Sequence, residues 1–366
     1  MVINGNLLNF QQDVANINII EKPNYNSRVE DNLNFTVIDD AYSADISQEG
    51  IEKLFESRLI AINSSEGNEI QEYVERYMEI RKDIESNNNN QEYYIQQLDK
   101  VFDKVIDEAA TTSVNKINKF LNGYLSEDAE RFNIDENQFK GTYIGLANRL
   151  KDLYLNGENE QKIEGEIQTY FKNQPNFKTY SDFKLTIEIG NYAHALQSDI
   201  VKAGRNILST NPKEIIHDTP KYNGLINEIS RVTNSLNAWQ MLSEKIDKST
   251  LHKELKTAMK SAYERTSKRI NKVSENAALY GNLLEEYKRL DERLRKLKSI
   301  YEKHNNTADE FNKQHNIERA GQSLVKASEI YKQMAEIEAK KMNLEAKMSK
   351  IQNELNEQIE EIEQNI

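Results

Sequence analysis

"LLEEYKRLDERLRKLKSIY", residues 283–301, decides the fold. Leu283, Tyr287, Leu290, Leu294, Leu297 and Tyr301 advance by steps of four and three in alternation. A mean step of 3.5 residues keeps one apolar line facing a neighbouring helix along its whole length, the pattern of a coiled-coil seam. Strands alternate with period two and cannot give it. The stretch therefore predicts a long helix with a helical partner.

The same period extends in both directions. Upstream, Leu225, Ile229, Val232, Leu236 and Trp239 carry it, and Trp239 is expected to pack in the core. Downstream, "KHNNT" (303–307) interrupts it, and Thr307 with Glu310 forms a capping box that would open a new helix. Leu324, Ala327, Tyr331 and Met334 resume the pattern, and Leu344, Met348, Ile351, Leu355 and Ile362 carry it to the end. Residues 221–366 are thus expected to form a long antiparallel coiled-coil hairpin with its tip near 303–307. The ascending arm, 251–303, would be about 80 Å long at 1.5 Å per residue. Charge agrees with that pairing. Basic residues dominate in 251–303, 14 against 8, and acidic ones in 304–366, 12 against 8.

The rest of the chain divides at its prolines. Pro175, Pro212 and Pro220 are expected breaks, because proline in a helix interior costs about 3 kcal/mol. Residues 45–175 read as an irregular helical domain. Helical faces follow Ile70, Tyr73, Val74, Tyr77 and Ile84, then Leu98 to Tyr124, then Leu146 to Tyr154, whose helix would close at Asn156-Gly157. Residues 176–220 read as one helix, capped by Ser181, and a linker. Residues 1–44, rich in Asn and without a period, read as a disordered tail. The fold class is all-α.

Composition narrows the function. Hydrophobic residues are 37% and charged residues 30%, as suits exposed helices better than a large globular core. The net charge of −12 disfavours non-specific nucleic-acid binding. "YKRLDERLRKLK" (287–298) is the one basic stretch that argues otherwise, and Asp291 and Glu292 interrupt it. No cysteine is present, so disulfides and thiolate chemistry are excluded. No run reaches the ~18 apolar residues of a membrane span. The start, "MVINGNLLNFQQ", lacks the basic and apolar regions of a Sec-type signal peptide.

Catalytic patterns are missing. Five histidines occur, and none forms an H-E-x-x-H pair. His304, Asp309, Glu310, His315 and Glu318 lie close in sequence, as a polar hairpin tip would have them. No phosphate-cradling glycine loop and no G-x-S-x-G occurs. No enzyme activity, cofactor, metal or small-molecule substrate is expected. Tyr287 and Asp291 match the Y-x-x-x-D pattern of type VII secretion substrates, but "NAWQML" lacks the W-x-G turn of that group. Tyr287 is assigned to the seam instead.

The junction "DDAYSADISQEGIEKLFESR" (39–58) is the remaining signal. Ser47 suits a helix N-cap, with Ile51, Leu54 and Phe55 behind it. Ile3 and Asn4 in the start, and Asp45, Ile46, Ser47 and Glu49 at the junction, resemble the layout of the flagellar anti-sigma factor family. That layout has an M-x-I-N start, a disordered segment and a D-x-x-x-I-S lead into the first helix; here Asp45 directly precedes Ile46. The resemblance implies an unstructured, export-competent N-terminus. It does not extend to the later 300 or so residues, so sigma binding is not implied.

These readings converge on a bacterial helical protein-interaction or structural protein. It would act through self-association or a protein partner and leave the cell, if at all, without a Sec signal. A helical pore-forming toxin component and an intracellular nucleic-acid-associated coiled-coil protein are the rivals.

Overall fold

The structure, a computed structural model, describes residues 47–60, 69–87, 90–174 and 177–366. The expected tail, the residues Ile3, Asn4, Asp45 and Ile46, and Pro175 lie outside the described residues. Among the described residues there are ten helices and no strand, so the chain is all-α. They are α1 (Gln48–Ile60), α2 (Glu69–Asn87), α3 (Gln91–Asn122), α4 (Glu136–Leu155), α5 (Glu160–Lys172), α6 (Tyr180–Leu208), α7 (Pro212–Ile215), α8 (Thr219–Lys248), α9 (Lys253–Lys313) and α10 (Ile317–Glu363).

Helix ends follow local chemistry. Asp135, Asn159, Asn211 and Asp218 cap α4, α5, α7 and α8, each accepting a backbone N–H through its side chain. Pro212 and Pro220 sit in first turns, where a missing N–H costs nothing. Asn156 closes α4, and Gly157 follows at φ 66°, as the Asn-Gly pair requires. Ser181 is not the cap of α6. That role belongs to Thr179, whose hydroxyl accepts from Asp182 N–H at 3.1 Å, so the cap lies two residues earlier.

α3 is the axis of the lower body, packed by α1, α2, α4 and α6. Its inward face runs through Leu98, Phe102, Val105, Val114 and Ile117. Phe139, Tyr143, Phe177 and Phe183 fill the space behind it, with ring centroids 5.0 to 6.4 Å apart. α6 approaches α3 at Gly190, whose missing side chain leaves room for Ile117.

α9 and α10 share the most extensive contact in the molecule. They run antiparallel: Asn276 meets Gln358, Tyr280 meets Gln352, Tyr287 meets Glu345, and Tyr301 meets Tyr331. Along the lower half, α6 packs on α10, α8 on α9, and α6 on α8, which makes a four-helix base. Trp239 of α8 is fully buried there, stacked on Tyr263 at 5.0 Å and edge-on to Phe120. One continuous core runs from Ile51 to Ile362 and leaves the hairpin above Tyr287 and Leu344 to a small cluster of its own, Leu294, Met334 and Ile337. From Asp291 to its end at Lys313, α9 continues beside α10 for about 33 Å.

The hairpin tip differs from the expected 303–307. α9 continues through "KHNNT" to Lys313, and the turn is 314–316. Asn305, Asn306 and Thr307 each cost a helix under about 0.7 kcal/mol. Ala308, wholly buried against α10, continues the packing beyond them. The capping box of Thr307 and Glu310 is not formed; Asn316 caps α10 by accepting from Arg319 N–H. His315 makes the turn at φ 58°, with its N–H on Asn312 O and Asn316 N–H on Phe311 O.

Candidate interaction surface

The seam positions divide by height. Tyr287, Leu294, Leu344, Met348, Ile351 and Leu355 are buried. Leu283, Leu290, Leu297 and Tyr301 are half-buried. Leu324 and Tyr331 have moved off the seam and are 50% and 59% exposed, because Ala320, Ala327, Met334 and Ile337 face α9 instead. The small side chains of Ala308, Ala320 and Ala327 form the inner line near the tip, so little apolar surface separates the two helices there.

At the level where the four-helix base ends, charges converge. Asp291 of α9 pairs with Lys341 of α10 and accepts from Arg295 Nε at 3.0 Å. His217, just after α7, lies 3.6 Å from the same carboxylate and shares a 2.7 Å contact with Arg295. Tyr287 donates to Glu345 Oε1, and Lys213 Nζ is 3.0 Å from Glu345 Oε2. Burial first, then the bond to Glu345, pushes the Tyr287 hydroxyl well above its ordinary value. Burial alone would raise Glu345, but Tyr287 and Lys213 more than offset it and hold it below the ordinary carboxylate value. The Y-x-x-x-D pair thus ties α7 and α9 to α10. The basic stretch around it is also engaged: Arg289 pairs with Glu285, and Lys288 lies 3.8 Å from the centre of the Tyr222 ring.

Two polar hubs escape sequence reading. Glu69, at the start of α2, accepts from Ser113, Tyr143 and Asn191, one each from α3, α4 and α6. Asp182, buried at the start of α6, accepts the N–H and hydroxyl of Thr250 and fixes the turn from α8 into α9. Each residue is one carboxylate among sixty in the sequence, and no pattern marks it. At the junction, Ser47 Oγ accepts from Gly50 N–H at 3.3 Å in the N-cap position, and Glu49 pairs with Lys53 in solvent.

A shallow cleft of about 400 Å³ lies between α4 and α5, crossed by the Arg149–Glu166 pair. A smaller groove of about 290 Å³ runs along the arm between Tyr301 and Asn305 of α9 and Leu324, Ala327, Ser328 and Tyr331 of α10. Among the described residues, no three His, Asp or Glu side chains converge as metal ligands, and His304, Asp309, Glu310, His315 and Glu318 form no such group. Among them too, no helix is long and apolar enough to cross a membrane.

The arm carries five exposed large apolar side chains, Ile300, Ile317, Leu324, Val325 and Tyr331. Ile317, Leu324 and Tyr331 repeat every seven residues along one flank of α10, 80%, 50% and 59% exposed. The opposite flank at the same height carries Arg319, Lys326 and Gln333, all exposed. Comparison with family models, with curated proteins and with solved structures gives no match to this chain.

Proposed function

We propose that the chain is a non-enzymatic helical interaction protein whose α9–α10 pair, a coiled coil, holds a binding surface away from the body. One observation carries this reading: the heptad of exposed apolar residues Ile317, Leu324 and Tyr331 stands on a two-helix arm that extends beyond the core. A row of exposed apolar side chains on one helix flank is a surface suited to contact with another protein. The core polar groups support the same reading, since Glu69 and Asp182 are spent on holding helices together.

Shortening the arm in register tests it. Excising 299–312 together with 320–333 removes two heptads from each helix and keeps the turn. The body should melt unchanged, and chemical cross-linking in the native cell or medium should lose the neighbours that the full chain captures. Capture that is indifferent to the excision would overturn the reading.

We further propose, on the resemblance of Ile3, Asn4, Asp45, Ile46, Ser47 and Glu49 to flagellar-type export substrates, that a bacterium exports this chain without a Sec signal. Residues 1–44 fused to a soluble reporter should carry it out of the cell; a reporter retained inside would remove this proposal.

A further inference from the structure

The flank of α10 that is bare on the arm is covered lower down by the chain's own helices. Ile359 lies on the same heptad line as Ile317, Leu324 and Tyr331, and it is fully buried against Gly204 of α6. Asn356 and Glu363, one step round the helix, are held by Arg205 of α6. The corresponding positions on the arm are Gly321, Ser328 and Ala335, small residues that admit a close neighbour. The base is therefore a four-helix arrangement, and the arm repeats half of it.

The α9 side of this flank says what completes it. Arg295, Lys298, Glu302, Asn305 and Asp309 alternate steps of three and four and so form one stripe, basic near the base and acidic near the tip. Arg295 is engaged with Asp291 and His217 at the root. Among the described residues, no ion pair includes Lys298, Glu302 or Asp309, and all three are exposed. A stripe that runs from basic to acidic complements itself when reversed.

We propose that two copies of this chain dock arm to arm, antiparallel, through this flank, giving a four-helix contact about a two-fold axis near Ser328. This deepens the interaction reading above and rests on it. Lys298 of one copy then opposes Asp309 of the second, and Leu324 of one meets Tyr331 of the other beside the groove at Ser328. The opposite flank, with Arg319 and Lys326, stays in solvent. The contact is about 33 Å long and two helices wide, at the low end of stable interface sizes, so a dimer in the micromolar range is expected.

The chain lacks cysteine, so single-cysteine variants of the full protein report the geometry directly. Ser328→Cys should form a disulfide-linked dimer under mild oxidation, and Lys326→Cys on the far flank should not. Sedimentation should show mass rising with concentration. Lys298→Glu or Asp309→Lys alone should weaken the dimer about tenfold or more, and the two together should restore it. All these side chains are exposed, so the variants keep the fold. Sedimentation as one chain up to about 100 μM, with Ser328→Cys cross-linking no faster than Lys326→Cys, would overturn the proposal. Dimers whose strength ignores the charge swap would overturn it too. A chain that stays monomeric, yet loses its captured neighbours when the arm is shortened, would remove the second copy as occupant and leave the interaction reading standing.

Discussion

The Tyr287 hydroxyl donates to Glu345 Oε1 at 2.8 Å, bridging α9 and α10 at the level where the main core ends. Below this bond four helices support one another; past the His217 contact with Arg295 just above it, α9 and α10 extend as a pair. Tyr287→Phe keeps the ring and removes the donor, so it should cost about 1 kcal/mol. The loss should show as faster amide exchange in 290–340 with little change in the body. Glu345, held below its ordinary value, stabilises the ionised pairing at neutral pH, and that contribution should fade as pH falls through its lowered folded value.

The inner line of the arm should be sensitive at Leu294 and indifferent at Lys296. Leu294 is 6% exposed and packs with Met334 and Ile337. Leu294→Asp buries an unpaired charge and should destabilise the arm by about 3 kcal/mol. Lys296 is exposed, and Lys296→Ala should cost under about 0.5 kcal/mol. Equal losses in denaturant titrations would show the wrong face has been assigned.

The turn at the tip uses a residue ill suited to it. His315 holds φ 58°, a conformation that strains side chains with a Cβ and leaves glycine unstrained. His315→Gly should stabilise the tip by about 1 kcal/mol, seen as slower exchange at Asn316 and Ile317. A destabilised tip would mean that the imidazole makes a contact worth more than the strain.

Two glycines in helices should respond in opposite directions. A Cβ at Gly190 would lie 2.5 Å from Ile117 Cγ1 and 3.2 Å from its backbone, where nothing can yield cheaply. Gly190→Ala should cost about 1–3 kcal/mol. At Gly165 nothing lies within 4 Å, so Gly165→Ala should gain about 0.5–1 kcal/mol in helix propensity. Thermal melts of the two variants should move apart.

Stability should fall on mild acidification through His194. Its burial, and then Lys116 and Lys119 beside it, hold its pKa below the ordinary 6.5. The unfolded chain then binds the proton more readily than the folded one, so stability is lost as pH drops below about 6.5. His194→Gln should flatten that slope between pH 7 and pH 5. An unchanged slope would assign the effect to carboxylates.

The long helices were legible in the sequence because their seam repeats for many heptads, and Leu294, Leu344, Met348 and Leu355 fall where that period puts them. The tip was not. Asn305, Asn306 and Thr307 are weak helix formers, and only the burial of Ala308 against α10, a contact between distant residues, shows that the helix survives them. For the same reason Leu324 and Tyr331 looked like seam: they keep the heptad step, and a step alone does not say which side of the helix faces inward. The hub at Glu69 was invisible, since its three donors come from residues 113, 143 and 191. The exposed flank became visible only when depth was known at each position.

The change from four helices to two has a mechanical consequence. Two rods joined along their length resist bending in the plane that contains both and yield across it. The arm therefore has one soft direction, toward and away from the flank that bears Leu324 and Tyr331. Asp291, Lys341 and the Tyr287–Glu345 bond sit at its root and act as the clamp of a cantilever. A pull applied at His315 would load that clamp before it loads the core, and the molecule would flex at its waist while the body keeps its shape.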